Sequence, residues 1–484
     1  MGASISNLSI YTSLNYIGGV FQQPLSSSFF QVENPASGEV LAQVEMMDPC
    51  HHESVVQHAH QAFQEWSQKS ASDRSEFLYR LYQKLLDHKD EFATLISSEQ
   101  GKSVIEAKGE VQYAANFFQW YAEEARRIYG DTIPGPSSKD KIMVLRSPVG
   151  VCAAITPWNF PLAMIARKLA PALAAGCSMI LKPSELTPLS ALALAKVFDS
   201  LDAPKGLFQV INGDPQTIGE FFCTHPQIRK ITFTGSTEVG KLLMKQSSST
   251  VKNISLELGG NAPFLVFEDA DLDAAVEGAM QSKFRNTGQT CVCSNRFLVH
   301  DSVLGAFVKK MMKAMDTLRT GSGLDEQHEI CPLINHEGLE KVKRLVTQAI
   351  DQGAVLHKGG QPLSMRNGYA PTLLTGIKSS MDIFKEEIFG PVVAITTFRQ
   401  DQEALELAND THYGLAAYCY TQSLSRSWYM AENLEYGMVG INKGIISDVA
   451  SPFGGVKQSG LGREGSKYGL DEYVEKKTIS IRTL

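Results

Sequence analysis

The chain lacks several features that would fix its class at once. No stretch is dominated by basic residues: 45 Lys and Arg stand against 52 Asp and Glu, a formal net charge of −7. That balance excludes nucleic acid or an anionic membrane surface as the main partner. No long apolar run is free of polar breaks. The longest, Val149 to Leu181, holds Asn159, Arg167, Lys168 and three prolines, which fits a buried core and excludes a membrane span. No basic segment leads into an apolar run near Met1, so a secretory signal is not expected. "MGASIS" does fit the loose N-myristoylation pattern. Eight cysteines in 484 residues are too sparse for a disulfide scaffold and point to reduced thiols in a cytoplasmic protein. There is no internal repeat and no low-complexity tract.

What is present reads as an α/β protein of more than one lobe, since a chain this long exceeds one ordinary core. Residues 54–128 carry helical periodicity, with Leu78, Leu81, Leu85 and Phe92 spaced along one face. "GDTIPGPSSKDK", Gly130 to Lys141, reads as a turn or protruding hairpin. From Val149, five short apolar runs ("VGVCAAIT", "SMILKP", "LFQVING", "KITFTG" and "ISLELGG") alternate with four helix-like stretches. That alternation predicts an open parallel sheet with helices on both faces, which binds ligands at the carboxyl ends of its strands. A second alternation, from "APFLVFED" to "GMVGIN", predicts a second α/β lobe. The tail "YVEKKTISIRT" alternates like an edge strand able to pair with the protruding hairpin, including that of another subunit.

The chemistry centres on "NTGQTCVCSN", Asn286 to Asn295. Cys291 and Cys293 could ligate zinc, but four ligands are the rule, and the chain has no CxxC or HxxxH partner. A disulfide between them would be strained and labile. A nucleophile in a turn is a third reading, because Thr287, Gly288 and Gln289 let the backbone approach a substrate. Two small core fillers are a fourth. Glu257 in "LELGG" ends the fifth run between two leucines, where partial desolvation would raise its pKa towards that of a useful base; locally, a surface glutamate fits as well. Asn159 in "TPWNFP" offers an amide to an oxyanion or stabilises a turn. In "KPSE", Glu185 sits where an acidic residue binds ribose hydroxyls and would repel a 2′-phosphate, with Lys182 near by. In "FTGSTEVG", Gly235 and Ser236 open a helix whose N-terminus suits a pyrophosphate, although the spacing is not GxGxxG.

"TPWNFP", "KPSE", "FTGSTEVG", "LELGGNAP", "GQTCVCSNR", "KEEIFGP" and "PFGGVKQSGLGREG" occur in that order. Together they resemble the NAD(P)-dependent aldehyde dehydrogenases from about Asn34 to the C-terminus. The resemblance implies a doubly wound Rossmann-like cofactor domain over 1–127 and 146–258, and a catalytic α/β domain over 259–469. A small β-hairpin oligomerisation element would take 128–145 and 470–484, in a homotetramer or homodimer. It makes Cys291 the nucleophile, Glu257 the base that activates water, and Asn159, with the Cys291 amide, the oxyanion hole. Glu387, with Phe389 beside it, would hold the nicotinamide ribose. Thr156, Pro157, Trp158, Lys182, Ser184, Glu185, Gly213, Gly235 and Ser236 would line the rest of the cofactor, with no metal involved. A small aldehyde would be oxidised through a thiohemiacetal and a thioester.

"SKFRNTGQTCVCSNR" and "SGLGREGSKYG" look most like the succinate-semialdehyde dehydrogenases. In that subfamily two arginines and a serine bind the substrate carboxylate, matching Arg167, Arg285 and Ser447 here. Without the resemblance, Arg167 is an exposed helix charge and Arg285 a local cap. Cys293 matches the cysteine that in some members closes a reversible disulfide with the nucleophile. Glu185 tips the cofactor towards NAD, with NADP possible. Glu257 disfavours an acyl-CoA-forming enzyme, and Cys331 stands where relatives usually have glycine. Glutarate semialdehyde is the nearest rival substrate. A non-catalytic protein reusing the fold, or a thiol–disulfide redox protein, is a rival of another class.

Overall fold

The computed structural model describes residues 5–23 and 26–482, so Gly2 of the myristoylation pattern lies outside the described residues. The long helical region is four helices: His52–Trp66, Ala71–Asp87, Lys89–Gln100 and Val104–Glu124. Local caps cut it. Ser70 and Asp73 form a capping box, Gly101 ends the third helix at φ 94°, and Ser103 caps the fourth. Leu78, Leu81 and Leu85 share the buried face of the second helix, but Phe92 belongs to the third. The single face expected from the periodicity is therefore two faces packed into one core.

The five apolar runs are the strands Val151–Ile155, Ser178–Lys182, Phe208–Val210, Ile228–Thr234 and Asn253–Glu257. They pair in parallel in the spatial order third, second, first, fourth, fifth. The order reverses between the first and fourth strands, where loops diverge and leave a crevice. Two additions were not foreseen. Tyr16–Ile17 and Val20–Phe21 extend the sheet beyond the third strand, and Gly460–Leu461 pairs antiparallel with Leu256 and Glu257 at the other edge.

The second lobe is a seven-stranded sheet running from Ala262–Val266 to Met438–Ile441. The predicted hairpin is Asp131–Pro134 with Asp140–Pro148, and the tail strand Val474–Arg482 pairs antiparallel with it in the same chain. Ile133, Leu145 and Ile481 of this small sheet are exposed. No helix among the described residues is long and apolar enough to cross a membrane.

A buried polar knot ties the second lobe together. The fully buried guanidinium of Arg296 donates to the carbonyls of Asn261, Leu407 and Ala408 and to Tyr436 Oη, at 2.7–3.1 Å. Asn295 donates to Asn261 Oδ1 and the Glu386 carbonyl, and accepts from the Ile388 amide. These bonds fix the 384–388 segment against two strand ends. Arg296→Met would leave buried carbonyls without a donor, at a cost on the order of 3 kcal/mol. Calorimetry of the variant is expected to show the thermal midpoint lowered by about 3 °C. An unchanged midpoint would remove Arg296 as the anchor.

Candidate active site

The crevice contains a cavity of about 850 Å³. Pro157, Trp158, Asn159, Arg167, Gly235, Ser236, Arg285, Cys291, Glu387, Phe389 and Ser447 all line it. Thr156, Lys182, Ser184, Glu185, Gly213, Glu257 and Cys293 do not.

Cys291 is presented by a strained turn. Asn286 and Thr287 hold φ of 51° and 55°, unusual for non-glycine residues and costly for a β-branched one. Side chains over-determine the turn. The Asn286 amide donates to Glu106 at 2.8 Å, and Thr287 Oγ1 bonds both the carbonyl and the N–H of Cys331. Cys331 acts here through its backbone and has no positive φ, so this position does not require glycine. Gly260 is required, because a Cβ there would lie 2.2 Å from the Cys291 carbonyl. Asn159 reaches across with Nδ2, donating to Gln289 O at 3.1 Å while Oδ1 stays without a partner. One amide hydrogen therefore remains for a ligand. Burial pushes the Cys291 thiol up to about 12; Glu387 and Glu257 add to the rise, while Arg167 and Arg285 oppose it.

Glu257 is not a surface glutamate. It is 4 % exposed, and its Oε2 has no partner. Burial holds it well above the usual carboxylate range; the like charge of Glu464 adds to this, and Arg167, Lys168 and Arg463 oppose it. Glu464 arrives because Gly460–Leu461 docks beside the fifth strand. Its carboxylate meets Lys168 Nζ, which also donates to Thr234 Oγ1 at 2.7 Å, and lies 2.9 Å from Arg167 Nε. These cations hold Glu464 below the usual carboxylate range although it is buried.

Arg167, 2 % exposed, is likewise no exposed helix charge, and its guanidinium stacks 3.9 Å over the Phe453 ring. Arg285 follows the helix Leu272–Phe284 and lies 5.3 Å over Phe160. On the opposite flank, Glu387 accepts one bond, from Gly260 N at 3.2 Å, and burial raises its pKa to about 7. Trp158 and Phe389 meet edge to face at 5.5 Å. Ser236 caps the helix Thr237–Ser247 and faces the cavity beside Gly235. Farther out, Lys182 Nζ bonds Pro183 O and the half-exposed Glu185 at 3.0 and 3.3 Å. Ser184 Oγ accepts from Leu186 N, Thr156 N donates to Lys182 O, and Gly213 packs beside Ile218. Cys293 is buried with its thiol 3.6 Å from Lys283 O, and none of the eight cysteines is paired.

The profile of the aldehyde dehydrogenase family matches residues 21–479. The chain belongs to the aldehyde dehydrogenase family. A crystal structure of succinate-semialdehyde dehydrogenase from Burkholderia pseudomallei is 49 % identical, covers 99 % of this chain and 100 % of its own, and superposes with a TM-score of 0.98. Succinate-semialdehyde dehydrogenase [NADP(+)] of Escherichia coli and glutarate-semialdehyde dehydrogenase of Pseudomonas aeruginosa are each 45 % identical, over 99 % of both chains.

Aldehyde dehydrogenases are NAD(P)-dependent oxidoreductases, and the donor set here fits that cofactor. A helix N-terminus with Gly235 and Ser236 suits a pyrophosphate, while Glu387 keeps carboxylate acceptor capacity for a ribose. Residues that the sequence reading missed are structural partners of this dehydrogenase site: Lys168, Glu464, Glu106, Asn261 and Asn295. Each depends on a contact more than 30 residues away in the chain, and no local pattern announces it.

With its thiol at about 12, Cys291 of the cofactor-free enzyme is expected to alkylate about tenfold faster per pH unit from pH 7 to 9. Arg285→Met removes a cation that lowers this pKa, so labelling at fixed pH should slow. Peptide mass mapping after iodoacetamide separates Cys291 from the exposed Cys50. A labelling plateau below pH 8 would contradict this electrostatic account.

Proposed function

We propose that this aldehyde dehydrogenase oxidises succinate semialdehyde to succinate, with Cys291 as nucleophile and Arg167, Arg285 and Ser447 receiving the substrate carboxylate. The observation that carries the reading is that two arginines share one cavity with the thiol, and Arg285, unlike Arg167, has no ion-pair partner among the described residues. The Cys291 thiol gives its proton to water and adds as the thiolate to the aldehyde carbon, and the oxyanion takes N–H donors from Asn159 Nδ2 and the Cys291 amide. When bound, NAD(P) supplies the hydride acceptor, and loss of hydride leaves the acyl group on Cys291 as a thioester. Glu257 takes a proton from the water that hydrolyses it, releasing the acid and the thiol. Thr156, Pro157, Trp158, Lys182, Ser184, Gly213, Gly235, Ser236, Glu387 and Phe389 are read as the cofactor's bed. Glu185, bonded to Lys182, favours a free 2′-hydroxyl and hence NAD over NADP.

The domain limits are proposed as 1–127 with 146–258, 259–469, and 128–145 with 470–484. The exposed Ile133, Leu145 and Ile481 support the last of these as the element that builds a homodimer or homotetramer. Eight unpaired thiols support a cytoplasmic setting.

The test is nicotinamide reduction with succinic semialdehyde, glutaric semialdehyde and butyraldehyde, each with NAD and with NADP. Succinic semialdehyde is expected to exceed butyraldehyde in kcat/KM by at least about a hundredfold, the scale of losing a charged bidentate partner. Glutaric semialdehyde ahead of succinic would transfer the assignment to the longer substrate. Butyraldehyde on a par would remove the carboxylate clamp. Glu185→Gln should raise NADP use relative to NAD by about tenfold.

Cys293 is proposed as a redox partner. Peroxide converts the Cys291 thiol to a sulfenic acid, and attack by the Cys293 thiolate expels hydroxide, which takes up a proton as water, and leaves the 291–293 disulfide. Wild-type enzyme should lose activity in peroxide and regain it with dithiothreitol. Cys293→Ser should turn over normally yet recover poorly. Peroxide-resistant wild-type activity would end this assignment.

A further inference from the structure

The helix Val104–Glu124 turns Glu106, Glu110 and Tyr113 towards the cavity at helical spacing, with Phe117 one turn farther on in the core. The two carboxylates are engaged. Glu106 accepts from Asn286 N, and Glu110 accepts from Leu162 N, Ala163 N and Lys102 Nζ, all at 2.6–3.1 Å. Tyr113 differs. Its ring lines the cavity and is fixed edge-on against Phe117 at 4.9 Å, but its Oη is sealed from solvent and has no hydrogen-bond partner.

Arg167 Nη2 is in the same state, buried and without a partner. Tyr113, Arg167 and Arg285 line the same cavity; burial raises the phenol pKa, the two arginines oppose that rise, and Glu464 and Asp448 add to it. A buried donor without an acceptor costs about 1–3 kcal/mol, and native folds rarely tolerate it without a reason. Here two such donors, a phenol and a guanidinium, belong to residues that line the same cavity. Neither the protein's own carboxylates nor a backbone carbonyl satisfies them. A ligand carboxylate has acceptor sites enough for both.

We propose that Tyr113 is a specificity-determining residue whose Oη–H donates to the distal carboxylate of the substrate, beside the guanidinium groups of Arg167 and Arg285. This deepens the proposed function and rests on the ω-carboxy aldehyde reading given there. The phenol adds a neutral donor that fixes the position of the carboxylate, where the arginines alone would hold it mainly by charge. It also adds selectivity, because an uncharged aldehyde leaves the hydroxyl unpaired in a dry wall.

Tyr113→Phe keeps the ring and its contact with Phe117 while deleting the donor. With succinic semialdehyde, KM is expected to rise about tenfold to a hundredfold at nearly constant kcat, the range for a hydrogen bond to a charged group. With butyraldehyde, kcat/KM should stay within about twofold of wild type. Succinate, titrated calorimetrically into the cofactor-free enzyme, should weaken in parallel, and Tyr113→His, which restores an N–H, should recover part of the loss. Equal losses on both aldehydes would assign Tyr113 a merely structural role and overturn the proposal, as would no change on either. A wild-type enzyme without preference for carboxylated aldehydes would instead bring down the underlying function, and that result is visible before any variant is made.

Discussion

Glu464 carries a negative charge into the interior between Arg167 and Lys168, and the organisation of the site depends on that placement. A lone buried carboxylate would be protonated or would exclude the fold, whereas two cations within bonding distance hold it ionised. Its presence then acts on Glu257, whose carboxyl sits buried near the same cluster and is raised further by the like charge. One residue thus neutralises two cations that would otherwise have pulled Glu257 down as an ordinary ion-pair partner. The result is a carboxyl of raised proton affinity, the property that a base working near neutrality needs.

That arrangement exists only because backbone and side chains lock three distant segments together. Gly460–Leu461 adds a short antiparallel pair to the edge of the cofactor-side sheet. The Arg296 knot fixes the second sheet beneath the Glu387 segment. The helix Val104–Glu124 supplies the Glu106 carboxylate that holds the turn bearing Cys291. Strain at Asn286 and Thr287 persists because those bonds over-determine it. Rigid support of this kind positions Cys291, whose thiol burial holds well above the ordinary thiol range in this state.

Much of the architecture was legible because it rests on local rules. Five apolar runs separated by helices leave few alternatives to a parallel doubly wound sheet, and the Pro- and Gly-rich 130–141 segment could only turn. The edge additions were not legible. Strands of two residues, such as Tyr16–Ile17 and Gly460–Leu461, have no period to detect. The four-helix segment suggests one face because its apolar spacing continues through His88, and only the cap geometry reveals the break.

For the site, the sequence by itself determined which residue types stand at the strand ends: a thiol in a glycine-bearing turn, a carboxylate closing the fifth strand, and an amide after the first. These follow from short-range order, in which position along a strand dictates which edge a side chain reaches. Whether Glu257 is dry or wet, and whether Arg167 is exposed or stacked under Phe453, was decided by tertiary structure alone. So was the absence of any acceptor for Tyr113. Those facts depend on desolvation and on charges brought from hundreds of residues away, and neither quantity is a property of local sequence.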